Sequence, residues 1–258
     1  LNGTFSAKTL QVGIMSGEDI SLTIDTVEAS LLGVFEMTSR VLRPNGTSST
    51  AYASSTNAID TDDITIVGNG NSRTVTIDAA ETAKSVATKI NAVAGATTVL
   101  AQARTTAILR SSSETDLSYT IKINNVETAA FTLSSAGVTD AVTKINAITA
   151  TTGVMASATT DGKVRLIDTD GDDITVENTS TQTTLFVGAL ENDGVTPAVG
   201  GGEDNLAAAG GLDLTTVAGT VRLTSTAGFT INQSAGTTSA KEVSTTLDLI
   251  TSAIASAS

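Results

Sequence analysis

The sequence predicts an α+β fold, rich in β-strand, divided into several domains and assembled from strand–hairpin–helix modules. Three observations lead there. Lys89-Ile90-Asn91-Ala92 recurs 55 positions later as Lys144-Ile145-Asn146-Ala147, and the same shift carries Ile66 onto Ile121, Ala83 onto Val138 and Val86 onto Ala141. A repeat at fixed spacing marks a repeated supersecondary unit. The composition is 40% hydrophobic but only 3% aromatic, without Trp and with two prolines, which suits thin cores of small side chains and many short strands joined by turns. Stretches of alternating apolar residues precede helical apolar stripes, so the period switches from two to 3.6 within each module.

In residues 1–25, Leu10, Val12 and Ile14 share one strand face and Ile20, Leu22 and Ile24 another, and the turn-rich 15–19 between them predicts a β-hairpin. Residues 27–42 space their apolar positions irregularly, and either a short helix or an extended connector fits. The polar stretch 43–57, with its Pro44-Asn45-Gly46 turn signal, reads as a domain boundary. Strands at 63–67 and 73–77 then flank Gly68-Asn69-Gly70-Asn71, whose Asn and Gly residues accept the positive φ of a tight hairpin. Asp78 is the expected N-cap of the next helix, with Glu81 at capping-box spacing. Ala83, Val86, Ala87, Ile90 and Val93 form its apolar stripe, and it should stop near Gly95, before strands at 97–104 and 107–110.

The second module repeats this order. Tyr119, Ile121 and Ile123 alternate before Asn124-Asn125, Phe131 and Leu133 return, and Val138, Ala141, Val142, Ile145 and Ile148 make the stripe that Gly153 ends. The repeat core is expected at Val86, Ile90, Val142 and Ile145, with Lys89 and Lys144 on the solvent side and Asn91 and Asn146 near each helix end. A further match, Gly162, Val164, Arg165, Leu166, Thr169, Gly171 and Ile174 onto Gly219, Val221, Arg222, Leu223, Thr226, Gly228 and Ile231, predicts a partial third module after the glycine-rich 199–202. Val243, Leu247, Ile250 and Ile254 step by four, three and four, which predicts a helix over 240–258.

Composition removes many chemistries. Without His or Cys there are no thiol or imidazole nucleophiles, no disulfides and almost no zinc, copper or haem sites. A formal net charge of −13 repels nucleic acid and anionic membranes, and no apolar run approaches a membrane span. The chain begins at Leu1 without Met and reads as an internal fragment of a longer protein. Asp168, Asp170, Asp172 and Asp173 form the densest carboxylate cluster, but Gly171 falls fourth from Asp168 and position twelve is Thr179, against an EF-hand's Gly at six and Glu at twelve. Asp168, Asp170 and Asp172 are weak metal candidates, and a solvated turn is the expected reading. The glycine run 199–202 lacks a following Lys-Ser/Thr and reads as a linker. Asn2, Asn45, Asn178 and Asn232 fit Asn-x-Ser/Thr, at chance frequency for so Ser/Thr-rich a chain.

These stretches resemble bacterial flagellin. The opening Gly3-Thr4-Phe5-Ser6 with Leu10-Gln11-Val12-Gly13 is similar to the segment that follows flagellin's long N-terminal helices and leads into a hairpin of its inner D1 domain. The two hairpin-plus-Lys-Ile-Asn-Ala units resemble the flagellin IN module of variable outer domains, and 247–258 resembles the start of the returning C-terminal D1 helix. The resemblance implies an inner segment of 1–42 with 237–258, and three units inserted into it: 43–112, 113–185 and a partial third at 186–236. The inner domain is then hairpin plus helix, without its long terminal helices.

The implied function is structural: a subunit of the bacterial flagellar filament, serving motility through self-assembly, with no enzyme activity and no cofactor. Its implied partners are other flagellin subunits in the full filament, with innate immune receptors or surface glycans as further candidates and neither nucleic acid nor membrane among them. The implied location is extracellular, reached through the flagellar secretion apparatus. Lacking the polymerising helices, the fragment should stay monomeric. The alternatives are a flagellar cap or hook-associated protein, which carries the same module, and a cell-surface glycan-binding adhesin, which five Phe and two Tyr equip poorly.

Overall fold

The computed structural model describes residues 34–48, 56–198, 202–208 and 211–233, together with the backbone of short strands at 8–11, 19–22 and 249–250. Strand outweighs helix and is spread over several sheets. Strands β1 (Lys8–Gln11) and β2 (Asp19–Leu22) pair antiparallel, with Lys8 opposite Leu22. The irregular stretch that follows is extended where described, as β3 (Phe35–Ser39). Within the polar 43–57 lies a short strand, β4 (Asn45–Thr47).

The first module is a hairpin of β5 (Asp62–Gly68) and β6 (Asn71–Ile77), closed by Asn69 at φ 50° and Gly70 at φ 71°. Two positive φ values in a two-residue loop give the turn whose twist matches that of the flanking strands. Helices α1 (Ala83–Ala92) and α2 (Ala94–Thr97) follow, then β7 (Leu100–Ser111), one strand of 12 residues where the sequence predicts two. The second module comprises β8 (Leu117–Tyr119), β9 (Ile121–Ile123), β10 (Val126–Glu127), β11 (Phe131–Leu133), α3 (Thr139–Asn146), α4 (Thr149–Thr152) and β12 (Met155–Ala158). Asn124 and Asn125, at φ 48° and 65°, close its hairpin. The strand expected across 119–123 divides at Thr120, so that β8 pairs with β11 while β9 pairs with β10 and β14. The remaining strands are β13 (Val164–Asp168), β14 (Ile174–Asn178), β15 (Leu185–Ala189), β16 (Glu203–Leu206), β17 (Leu214–Val217), β18 (Thr220–Ser225), β19 (Phe229–Gln233) and β20 (Leu249–Ile250).

Strand β7 organises the sheets. It pairs with β18 along 100–104, with β13 along 105–109 and with β15 along 107–111; the last two overlap, so they take opposite edges. With β12, β16, β3 and β20 these make an eight-stranded sheet, beside a five-stranded sheet ordered β10-β9-β14-β17-β4 and a three-stranded sheet ordered β19-β5-β6. The odd-numbered side chains of β7 point to one face, and two cores share it. Ala101 lies over the first, with Ile64, Ile66, Val86, Ile90, Val221 and Leu223. Ala107 and Leu109 lie over the second, with Ile121, Ile123, Val164, Leu166 and Val176.

Of the unit expected at 186–236, the matched stretch 219–231 completes the first core, where β18 pairs with β7 and β3 and β19 pairs with β5, whereas β15, β16 and β17 belong to the second. The chain enters the first core, touches the second through Val41 and β4, crosses into it along β7, and returns through β18. The helix predicted over 240–258 lies outside the described residues except at Leu249–Ile250, which are strand and not helix. These two residues take the backbone partners of Ser39 and Thr38 at an open edge of β3, an alternative that a step of four, three and four does not exclude.

Candidate functional site

Helix α1 starts later than the Asp78 cap predicts. Thr82 is the N-cap, its Oγ1 accepting the Ser85 N–H at 3.3 Å. Ala80 sits in between at φ 60°, a left-handed conformation that an α-helix cannot contain, and its N–H donates to the Ile59 carbonyl at 2.7 Å. Glu81 nonetheless reaches back to the Asp78 N–H at 2.9 Å, so half of a capping box closes around a turn. Helix α1 ends at Ala92, close to the predicted Gly95, and the separate one-turn α2 (Ala94–Thr97) spans that glycine before Thr98 caps it at φ 60°. Gly153, at φ 76°, ends α4 in the same way, as the sequence predicts.

Of the expected repeat core, Val86, Ile90 and Ile145 have no solvent exposure, whereas Val142 packs half-buried at the margin of the second core. The Asn of each repeated tetrapeptide is a clamp. Asn91 Nδ2 donates to the Ala101 carbonyl at 2.9 Å while its Oδ1 accepts the Ala101 N–H at 2.8 Å. Asn146 makes the same pair with Ala156, at 2.9 and 2.7 Å. One side-chain amide thus satisfies both backbone groups of a strand residue and stands in for a neighbouring strand. The equivalence extends further: Thr97 Oγ1 donates to the Val93 carbonyl at 3.2 Å, and Thr152 Oγ1 to the Ile148 carbonyl at 3.1 Å. Lys89, expected in solvent, is tied down at the surface, its Nζ reaching Asp78 at 2.7 Å and the Thr76 carbonyl at 3.0 Å.

The acidic loop is a staple between the cores. Asp168 is 4% exposed, and its Oδ1 accepts the N–H groups of Asp170, Gly171 and Asp172 at 2.9, 3.0 and 3.3 Å. Burial pushes its carboxyl above the ordinary range, against the pull of those amides. Asp172 and Asp170 reach Lys84 Nζ at 2.7 and 3.4 Å, and the Gly171 carbonyl accepts the Lys84 N–H at 3.0 Å, capping the first turn of α1. Asp173 accepts a hydrogen bond from Asn57 Nδ2 at 2.8 Å. Burial pushes its carboxyl up to about 7, with the Asp172 charge adding to the rise and the Asn57 bond opposing it. Among the described residues no three metal-ligating side chains converge. Asn178, one of the Asn-x-Ser/Thr positions, is fully buried and donates to the carbonyls of Gln182, Leu206 and Ala207.

The chain matches no protein-family model and no curated protein. Its repeated polar groups join backbone to backbone: the clamps fix a short helix to a sheet edge, and the acidic staple fixes one core to the other. No sequence pattern revealed the clamps, because each bond's partner is a main-chain group of Ala101 or Ala156. The recurrence of Asn91 as Asn146 was the only available signal.

Proposed function

We propose that this chain is an exposed core fragment of the structural subunit of a bacterial flagellar filament. In this reading residues 1–42 and 237–258 contribute to an inner, D1-type domain, and the modules between them are inserted into it and project into solvent. The subunit performs no chemistry. It is exported through the flagellar secretion apparatus and assembles with its own kind through terminal helices that pack as coiled coils.

The observation that carries this reading is the doubled unit, in which both Lys-Ile-Asn-Ala helices end in the same amide clamp on a strand. A repeat kept for catalysis would repeat polar groups facing a substrate; this one repeats the attachment of a small helix to a sheet. A chain without His or Cys and with a net charge of −13 suits an inert, solvent-facing role. Immunogold electron microscopy with antibodies raised against the chain tests the reading on cells that make it. Label along the whole filament is expected. Label confined to the tip or the hook junction would assign the chain to the cap or the hook-associated proteins, and label on the cell body alone would favour an adhesin. Sedimentation of the 258-residue chain as a monomer is the companion expectation.

A further inference from the structure

The even-numbered side chains of β7 face away from both cores. On that face the register lines up Ser157, Arg165, Ile108, Gly188 and Glu203 across β12, β13, β7, β15 and β16. A cleft of about 420 Å³ opens along this row, within the size range of small-ligand sites. Ile108 and Gly188 form its floor. One wall is the turn at 159–163, where the Thr159 N–H donates to the Lys163 carbonyl and the Lys163 N–H to Thr159 Oγ1, each at 2.9 Å. Another is the loop at 190–197, held by Asp193 Oδ1, which accepts the N–H groups of Val195 and Thr196 at 2.8 Å. Both walls are fixed before any ligand arrives.

The charges in the cleft are unevenly satisfied. Lys163 pairs with Asp161 at 2.9 Å. Arg165 meets no carboxylate among the described residues: its Nε is buried without a hydrogen-bond partner, and Nη1 reaches only the Gly194 carbonyl, at 3.4 Å. Across the floor, Arg110 donates from both Nε and Nη2 to a single oxygen of Glu203, Oε2. The other oxygen, Oε1, lies 3.7 Å from where a Cβ on residue 188 would stand, because the absence of that Cβ lets Glu203 Cγ and Ile108 Cγ2 pack over Gly188, each 3.0 Å from the same point.

We propose that this cleft binds a short zwitterion, a free amino acid or dipeptide with an apolar side chain. Its carboxylate takes the Arg165 fork, its ammonium takes Glu203 Oε1, and its side chain lies over Ile108 toward Val195, which is 73% exposed. The carboxylates of Asp161 and Glu203 disfavour a dianion such as phosphate, and the lining offers no aromatic platform to a neutral sugar. The inference is independent of the filament reading.

Calorimetry and amide NMR on the 258-residue chain, titrated with leucine and with leucyl-alanine, test it. N-acetyl-leucine and leucinamide, each lacking one charge, and inorganic phosphate are the comparison probes. One or both zwitterions are expected to bind saturably with Kd below about 5 mM, shifting the amides of Gly188 and Gly194, and each blocked analogue to bind at least roughly tenfold more weakly. Arg165→Gln and Glu203→Gln are each expected to lose binding by roughly tenfold or more. If Arg165→Gln fails to fold, Arg165→Lys, which keeps the charge without the fork, carries the same expected loss. Equal binding of the blocked analogues, tighter binding of phosphate, unchanged affinity in the folded variants, or no saturation by either zwitterion overturns the proposal.

Discussion

Asn91 and Asn146 are exposed side chains, yet each satisfies a donor and an acceptor on a buried strand residue. Asn91→Ala leaves the Ala101 N–H and C=O without those partners and should cost roughly 1–3 kcal/mol, measured by urea unfolding; a loss of a few tenths would mean that water replaces the clamp. Asp173 gives a pH dependence with a definite sign. Its folded value of about 7 lies above the ordinary 3.8, so the stability it contributes is complete below that ordinary value and is lost as the pH climbs through 7. Asp173→Asn should therefore raise the melting temperature at pH 8 by several degrees and change it little at pH 4. A gain of equal size at both values would place the cause elsewhere than the carboxyl charge.

Elements were legible in the sequence where the code is local. The Asn69-Gly70 and Asn124-Asn125 turns were readable because positive φ selects those residues, and the stripe through Val86 and Ile90 because burial imposes the helical period. What was not legible depends on residues distant in sequence. The start of α1 is displaced by Ala80, whose φ of 60° nothing in its side chain announces. The continuity of β7 arises because three different strands pair along its 12 residues. The acidic loop reads as a turn on its own, and its docking on α1 follows only from the fold. Gly171, at φ 84° with Ala103 packed against it, is the hinge of that docking. Gly171→Ala should cost roughly 2–4 kcal/mol and weaken protection of the Lys84 amide in hydrogen exchange. Unchanged exchange at Lys84 would contradict the staple.

For the whole molecule, a shared strand and a staple couple the two cores. A single thermal transition is expected, and Ile90→Asp tests the coupling, because a charge in the first core should lower stability by about 4 kcal/mol or more. Tyr119 is 1% exposed in the second core and stacks with Phe131 at a centroid distance of 6.1 Å, so in a Tyr52→Phe background, which removes the other tyrosine, the near-ultraviolet tyrosine signal reports that core. The Tyr119 midpoint should fall together with the far-ultraviolet midpoint in Ile90→Asp. A Tyr119 transition left at the wild-type temperature would mean that the cores melt independently.

The register of β7 also fixes where the second core is attached. Arg104 lies opposite Thr220, so the whole of 105–217 leaves and re-enters the first core between two paired residues. Topologically it occupies the position of a hairpin loop. Joining Arg104 directly to Ala218 would leave Ala218-Gly219 as a two-residue turn between paired strands, a standard hairpin length. Among the described residues the insertion thus supplies most of the second core, which Val41 and β4 join from the preceding chain. Lengthening the chain within that insertion needs no change in the pairing of Arg104 with Thr220 that frames it.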